Sequence, residues 1–175
     1  KLPELETPMT NFDLSVFSRI RRNHGLEHAT ITLLSQRFPN LRMAGYSYWG
    51  GFFLLGDVPT EQVREVVTQA LARMSNGERY LAIHPNCGTN FAVSGILSGM
   101  LAWLGMAGAK TKREKFERLP LVMALATLGS ILSVPLGPKV QEYITTSGDP
   151  QGLSIVDIFP VRFGQFSLHR VITRG

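Results

Sequence analysis

Two histidines and a glutamate near the amino terminus are spaced as in a metal site. His24 and His28 are four residues apart, and Glu27 directly precedes the second histidine. On a helix, residues four apart project from one face, so both imidazoles can bind a single ion. The order His-x-x-Glu-His is that of the inverted zincins, in which the glutamate polarises a metal-bound water. The pattern predicts that His24 and His28 bind zinc or another divalent metal, with Glu27 as the candidate catalytic residue.

A metal site of this kind needs a third protein ligand, and one loop offers two candidates. His84 and Cys87 are three residues apart, just before a long apolar run. We predict that both belong to the site, with His169 as a further candidate. Four ligands that include a thiolate are more typical of a closed structural site than of a catalytic one.

The same residues also allow plainer interpretations. His24 and His28 could make hydrogen bonds on a partly buried helix face, and Glu27 could pair with a nearby arginine. His84 precedes a proline, as loop residues often do, and Cys87 could be a small buried apolar side chain. A third possibility is that one histidine ligates the magnesium of a chlorin pigment held by a neighbouring subunit.

The amino-terminal residues must form the element that positions this motif. Residues 1–12 contain two prolines and no periodicity, which predicts an extended arm. Asp13 is a candidate N-cap, and apolar residues at helical spacing predict a helix from about residue 13 to residue 37, because Pro39 prevents its continuation. The histidine motif therefore lies near the middle of a long helix.

The next residues have the pattern of a hairpin followed by a helix. Segments 41–48 and 52–58 are rich in aromatic residues and flank a Trp-Gly-Gly sequence, which predicts two strands and a turn. Thr60 is a candidate N-cap for a helix that ends at an Asn-Gly pair. Residues 80–83 are a candidate third strand, so we expect residues 13–87 to form a small α+β domain.

Two uncharged runs follow. Asp, Glu, Lys and Arg are absent from residues 80–109 and again from residues 119–138. A helix over residues 91–109 would be about 28 Å long, close to the roughly 30 Å of a bilayer core. Residues 88–138 thus predict a transmembrane helix hairpin in contact with the lipid bilayer, while buried helices of a soluble protein are the alternative.

The loop between the runs, residues 110–118, is strongly basic. The positive-inside rule predicts that it is cytoplasmic, with the amino-terminal domain and the tail on the opposite side of a multi-pass cell (inner) membrane. The net charge is +5, but no basic stripe with interleaved aromatic residues occurs, so we expect no nucleic acid partner. Gly95 and Gly99 form a small-xxx-small pair, which favours close helix packing and contact with other membrane subunits.

The tail, residues 139–175, begins with a helical pattern and then passes a Gly-Asp-Pro turn. Alternating segments within residues 153–171 predict one or two strands that join the amino-terminal sheet. The expected fold class is therefore an α+β membrane protein. It combines a small amino-terminal α/β domain, a two-helix transmembrane hairpin and a partly β carboxy-terminal tail.

Residues 24–30, with the sequence HGLEHAT, resemble the corresponding stretch of the pitrilysin-type metallopeptidases. In that family too the helix is followed by strands, a Gly-Gly pair and a second helix, here Gly50-Gly51 and residues 60–75. The resemblance implies a zinc-dependent hydrolase. It departs in one respect, because the family takes its third ligand from a glutamate on a later helix, where this chain has its first uncharged run.

A more extensive resemblance is to an uncharacterised family of short membrane proteins of photosynthetic bacteria. It covers nearly the whole chain, through the sequences RRNHGLEHAT and IHPNCGTN, the two apolar runs and the closing His169-Arg170-Val171. It implies a photosynthetic membrane, neighbouring membrane subunits and an accessory role. Contact with a pigment or a quinone between the two runs is also possible.

Two functions remain. The first, which we favour narrowly, is an accessory or assembly subunit of an integral-membrane complex that carries a structural metal. The alternative is a membrane-bound zinc-dependent peptidase that uses the HxxEH motif. Small size, small-residue helix faces and the lack of a recognisable substrate cleft favour the accessory function, whereas the position of Glu27 beside His28 favours the peptidase.

Overall fold

The computed structural model describes residues 11–164 and 166–175, which form two compact units. The first unit contains the described residues up to Ala82 together with Thr146–Gly175, and the second contains Ile83–Thr145. Helices and one four-stranded sheet make up the chain, which confirms the mixed helical and β character of the predicted fold.

Two helices belong to the first unit. Helix α1 covers Asn11–Arg37 and helix α2 covers Thr60–Ser75. Helix α1 confirms the predicted long helix, but residues 11 and 12 are helical rather than part of an extended arm, and Asp13 lies within the helix rather than at its cap. The rest of the predicted arm lies outside the described residues.

Helix α2 begins differently from the prediction. Pro59 occupies the N-cap position and no side chain caps the helix, so Thr60 is its first residue and not the cap. The Thr60 hydroxyl instead forms a hydrogen bond of 3.1 Å with His169 Nε2. One apolar face of the helix is buried, at Val63, Val66, Val67, Ala70 and Met74.

The sheet combines the hairpin with the tail. Strands β1 (Ala44–Tyr48) and β2 (Gly51–Leu55) form the hairpin, and β3 (Ser154–Phe163) and β4 (Phe166–Arg174) come from the tail. The order is β1-β2-β4-β3 with every pair antiparallel. The prediction that the tail strands join the amino-terminal sheet is therefore confirmed.

The third strand predicted at residues 80–83 is wrong. Arg79–Ala82 is a short 3-10 helix. Its last two residues, Leu81 and Ala82, are both buried, whereas neighbouring residues of a half-buried strand point to opposite faces. The apolar pair is thus better accommodated by a turn of helix that packs against α1.

Helix α1 is the centre of the first unit. It contacts α2, β1 and β2, and every residue of the segment 25–30 is buried. Leu26 and Leu34 of α1 join Phe52 of β2 and Val67 of α2 in one apolar core. The histidine motif consequently lies in a helix that is enclosed by the fold.

Gly25 allows a chain segment from the tail to cross α1 at close range. A Cβ at this position would lie 2.1 Å from the Ser147 carbonyl oxygen. The Ser147 amide donates to the Arg21 carbonyl at 2.9 Å, and the Arg21 guanidinium donates to the Thr146 carbonyl at 2.8 and 3.1 Å. The glycine in the HGLEH sequence therefore has a packing role.

The second unit is built on two long apolar helices. Helix α3 covers Gly88–Met106, α4 covers Lys112–Glu117 within the basic loop, and α5 covers Leu119–Val140 and continues as one π-helical stretch, Gln141–Thr145. Both α3 and the continuous helix Leu119–Thr145 are long and apolar enough to cross a membrane. Helix α3 begins three residues before the predicted position because Cys87 caps it.

Helices α3 and α5 pack through Gly129 and two serines, and not through Gly95 and Gly99. A Cβ at Gly129 would lie 2.7 Å from the Ser98 backbone, and the hydroxyls of Ser98 and Ser130 are 2.9 Å apart. Nothing described lies within 4 Å of a Cβ built at Gly95 or Gly99. The predicted role of these two glycines in packing the hairpin is wrong, because Ser98 is on the contacting face of α3 and they are not.

We predict that Gly25→Ala destabilises the first unit by about 2 kcal/mol or more, because the added methyl group overlaps a backbone oxygen that a side-chain rotation cannot move. Thermal or denaturant unfolding of the purified chain measures the loss. Gln69→Ala, at an exposed position of α2, is the control and should change stability by no more than about 0.5 kcal/mol. Equal stability of the two variants would contradict the close crossing at Gly25.

Candidate metal site

Helix α1 places His24 and His28 on one face, as the four-residue spacing requires. Their ring centroids are 4.3 Å apart with an interplanar angle of 62°. His24 is half-buried and His28 is buried. The two imidazole rings are therefore close enough to bind the same metal ion.

A backbone carbonyl orients His28. Its Nδ1 lies 2.7 Å from the Ala82 carbonyl oxygen, at the end of the 3-10 helix. A carbonyl can only accept, so Nδ1 carries the proton and the ring lone pair of the neutral imidazole is on Nε2. A hydrogen bond of this type from the second ring nitrogen is the usual support of a metal-binding histidine.

Cys87 is the N-cap of α3. Its Sγ accepts a hydrogen bond from the Thr89 amide at 3.4 Å, and the side chain is buried. A helix N-terminus favours the thiolate, which is the form of cysteine that binds metal. Cys87 stays the predicted ligand that would complete the site with His24 and His28.

His84 lies in the loop before α3. Its Nδ1 accepts a hydrogen bond from the Asn86 amide at 3.2 Å, so the side chain stabilises the turn that leads to Cys87. Its role as a metal ligand stays a prediction.

Gln141 holds the same turn and was not singled out by the sequence. Its side chain accepts from the His84 amide at 3.0 Å and donates to the His84 carbonyl at 3.1 Å and to Asn90 Oδ1 at 2.7 Å. Asn90 in turn donates to the Pro85 carbonyl at 2.7 Å. An amide side chain three residues after the end of a twenty-residue uncharged run was the available signal, and this side chain is fully buried.

Glu27 is buried and turned toward β1. Its carboxylate accepts a hydrogen bond from the Ser47 hydroxyl, and a Cβ at Gly45 would lie 2.1 Å from Glu27 Oε1. The assignment of Glu27 as a catalytic base stays a prediction, whereas its role in joining α1 to β1 follows from the contacts.

His169, the further ligand candidate, is in the sheet. It is buried on β4 opposite Leu54 of β2 and bonds to Thr60. Burial lowers the pKa of its imidazole below the ordinary value of 6.5. The structure therefore gives His169 a place in the core.

The profile of a domain of unknown function (DUF6391) matches residues 19–158, which include His24, His28, Cys87 and both apolar helices. The chain belongs to the DUF6391 family. An uncharacterised protein of the cyanobacterium Picosynechococcus sp. (strain PCC 7002) is similar to it, with 35% identity over 148 residues that cover 79% of this chain and 71% of the relative. No solved structure matches.

These matches confirm the expectation of an uncharacterised family and leave its activity open. The DUF6391 match ends at residue 158, before His169. The metal-site candidates on α1 and at the start of α3 therefore lie within the family domain, whereas His169 is outside it.

We predict that His169 makes the first unit of this DUF6391 protein less stable in acid. Because its pKa is lowered on folding, the unfolded chain binds the proton first as the pH falls below 6.5. Stability should therefore be full above pH 6.5 and fall toward and through the lowered pKa, with a slope of at most about 1.4 kcal/mol per pH unit.

His169→Gln is the test, since the amide can still bond to Thr60 but does not titrate. Unfolding of the wild type and the variant is measured between pH 8 and pH 5. The other three histidines are common to both proteins, so the difference between the two curves isolates His169. Parallel curves would show that protonation of His169 does not affect folding.

Proposed function

We propose that this protein is a membrane-embedded accessory or assembly subunit with a structural metal centre at His24, His28 and Cys87. The observation that carries the proposal is the oriented histidine pair, in which the Ala82 carbonyl leaves the His28 lone pair on Nε2. Hydrogen bonding by a buried histidine would not require a second imidazole beside it.

The donor set favours zinc or a similar divalent transition metal. Two imidazole nitrogens and a thiolate are borderline and soft ligands, which suit zinc better than magnesium or calcium. With three protein ligands, the fourth position would be filled by a donor from a neighbouring subunit, which would close the site as a structural centre requires. Chlorin magnesium takes one axial imidazole, so the close pair of His24 and His28 favours a discrete ion over the pigment.

The exposure of α3 and α5 supports the membrane part of the proposal. Their windows of highest hydropathy are only 6% and 11% buried, whereas the core helix of a soluble protein is mostly buried. Large apolar side chains such as Phe91, Trp103 and Val134 are at least 70% exposed. A bilayer would cover this surface, and the basic loop 110–118 would lie on the cytoplasmic side.

The contacts of Glu27 favour an accessory function over hydrolysis. A general base must be within hydrogen-bond reach of the water that it activates. Glu27 accepts from Ser47 and lies against Gly45, on the side of α1 that packs on the sheet, so a structural contact already engages its carboxylate. A carboxylate used in this way stabilises the position of α1.

The proposed setting is a photosynthetic membrane complex. The resemblance of the HGLEHAT and IHPNCGTN segments to membrane proteins of photosynthetic bacteria supports it, and so does the cyanobacterial source of the Picosynechococcus relative. Contact of the apolar helices with a pigment or quinone belongs to the same proposal. Other membrane subunits are the expected partners.

We predict that the chain purified without chelators contains about one transition-metal ion, measured by elemental analysis. Cys87→Ser removes the thiolate but keeps an N-cap acceptor for the Thr89 amide, so α3 should still form. Its metal affinity should fall by more than the roughly 10- to 100-fold that loss of a supporting residue costs. Wild-type protein without transition metal would refute the site.

Two variants serve as controls for that measurement. His84→Asn keeps an acceptor for the Asn86 amide and should retain the metal, because His84 is outside the proposed ligand group. Glu27→Gln should also retain the metal. A peptidase activity of the wild type that Glu27→Gln abolishes, with metal unchanged, would establish the hydrolase instead.

The accessory function makes a separate prediction for native membranes. The chain should resist alkaline carbonate extraction because two apolar helices are embedded. After mild solubilisation it should migrate on native gels with a mass well above that of a single 19.4 kDa chain in a micelle. Release by carbonate would contradict the membrane assignment, and migration as a single chain would contradict the subunit assignment.

A further inference from the structure

A cleft in the first unit is lined by three arginines and two aromatic residues. Its volume is about 350 Å³, and its lining includes Arg19, Arg170, Arg174, Tyr48 and Trp49. The arginines come from α1 and β4, and the aromatic residues from the β1–β2 turn region. This volume is within the range of small-ligand pockets.

Among the described residues, no acidic side chain balances the positive charge of the cleft. Within the described part of the chain, no Asp or Glu lines the cleft. The ion pairs found among these residues involve other arginines, such as Arg37 and Arg73, and none of the three in the cleft. Three like charges in one concave site are unfavourable unless an anion binds there.

Aromatic rings hold Arg170 in place. Its Nε donates to the Tyr48 hydroxyl at 3.0 Å, and its guanidinium carbon lies 5.7 and 5.6 Å from the ring centroids of Tyr48 and Phe53. These two rings are themselves stacked, at 5.6 Å. Cation–π contacts thus fix the guanidinium without neutralising it, and its terminal nitrogens remain donors.

Arg19 also lies over an aromatic ring. Its guanidinium carbon lies 5.6 Å from the Trp49 ring centroid. Its Nε is buried and has no hydrogen-bond partner in the described chain. An unsatisfied buried donor of a charged group is costly, and an acceptor in the cleft would remove that cost.

Buried hydrogen bonds support the wall of the cleft. The Thr173 amide donates to the Gly50 carbonyl at 3.0 Å, and the Thr173 hydroxyl donates to Asn23 Oδ1 at 2.6 Å. Asn23 also donates to the Tyr48 carbonyl at 2.8 Å. The cleft is therefore formed by ordered strand ends that α1 braces.

We propose that this cleft binds a phosphate-bearing anion. Guanidinium groups match the oxygens of a phosphate in charge and geometry. Several guanidinium groups, each with paired N–H donors, are better suited to a dianion than to a single carboxylate. The phosphate could belong to a free phosphate ester or to the headgroup of a phosphatidic lipid. Both sources present the same chemistry to Arg19, Arg170 and Arg174.

Trp49 provides the probe for a binding experiment. The chain has two tryptophans, so Trp103→Phe leaves Trp49, which lines the cleft, as the only emitter. Inorganic phosphate is titrated into the full chain in neutral detergent at constant ionic strength. A parallel titration uses phosphatidylcholine bicelles with and without phosphatidic acid.

A saturable change of Trp49 fluorescence is expected in one of the two titrations. Response to inorganic phosphate identifies a free anion, and response to phosphatidic acid alone identifies a headgroup. Arg19→Gln and Arg170→Gln should each weaken apparent affinity about tenfold or more. Arg170→Lys should also weaken it, because the charge remains but the fork is lost.

Arg42→Gln is the matched control, because Arg42 is an exposed arginine of the same unit outside the cleft. It should change apparent affinity by less than about twofold if charge alone is not the cause. Unchanged melting of each variant shows that its fold is intact. Absence of a saturable response in both titrations, or an equal loss in Arg42→Gln and Arg170→Gln, would overturn the proposal.

Discussion

The burial of polar side chains in the middle of α1 is the constraint on which the first unit depends. Asn23, Glu27, His28 and Thr30 are all buried, and each needs a hydrogen-bond partner. The partners come from different elements. Asn23 and Glu27 bond to the sheet, His28 bonds to the 3-10 helix, and Thr30 donates to the Leu26 carbonyl within α1. The hydrogen bonds of these side chains thus determine which elements pack on each side of α1.

The burial of Glu27 gives the inverted zincin motif a second interpretation besides that of a peptidase. A His-x-x-Glu-His sequence places its glutamate off the face shared by the two histidines. In a zincin that position serves the metal-bound water, and here it serves the contact of α1 with β1, where Gly45 makes room for the carboxylate. The motif specifies a helix face but not what packs against it.

The predictable parts of the fold were those with a local cause. Helical spacing and Pro39 were sufficient for α1, and length and lack of charge were sufficient for the two apolar helices. The errors occurred where tertiary contacts decide. Residues 80–83 look like a strand until Ala82 is seen to pack against α1, and Gly95 resembles a contact glycine although the contact is made through Ser98.

The candidate sites also differ in whether local spacing or tertiary contacts bring their residues together. His24 and His28 are four residues apart, so the sequence alone predicts their proximity. Cys87 was recognisable as a ligand type, but its separation from His84 depends on the turn that Asn86 and Gln141 hold. The arginine cleft was not predictable, because Arg19 and Arg170 are about 150 residues apart and meet only through the sheet.

A metal bound by His28 and Cys87 would also affect folding itself. It would close a loop of about 60 residues, and by the chain-entropy argument a crosslink of that length destabilises the unfolded chain by about 4 kcal/mol. That is a large fraction of the roughly 5–15 kcal/mol by which a domain is stable. His28 already forms a hydrogen bond with Ala82, five residues before Cys87, so the hydrogen bond and the ion would constrain the same short stretch of chain. A crosslink of this kind is the contribution of a structural metal, because its binding free energy becomes folding free energy.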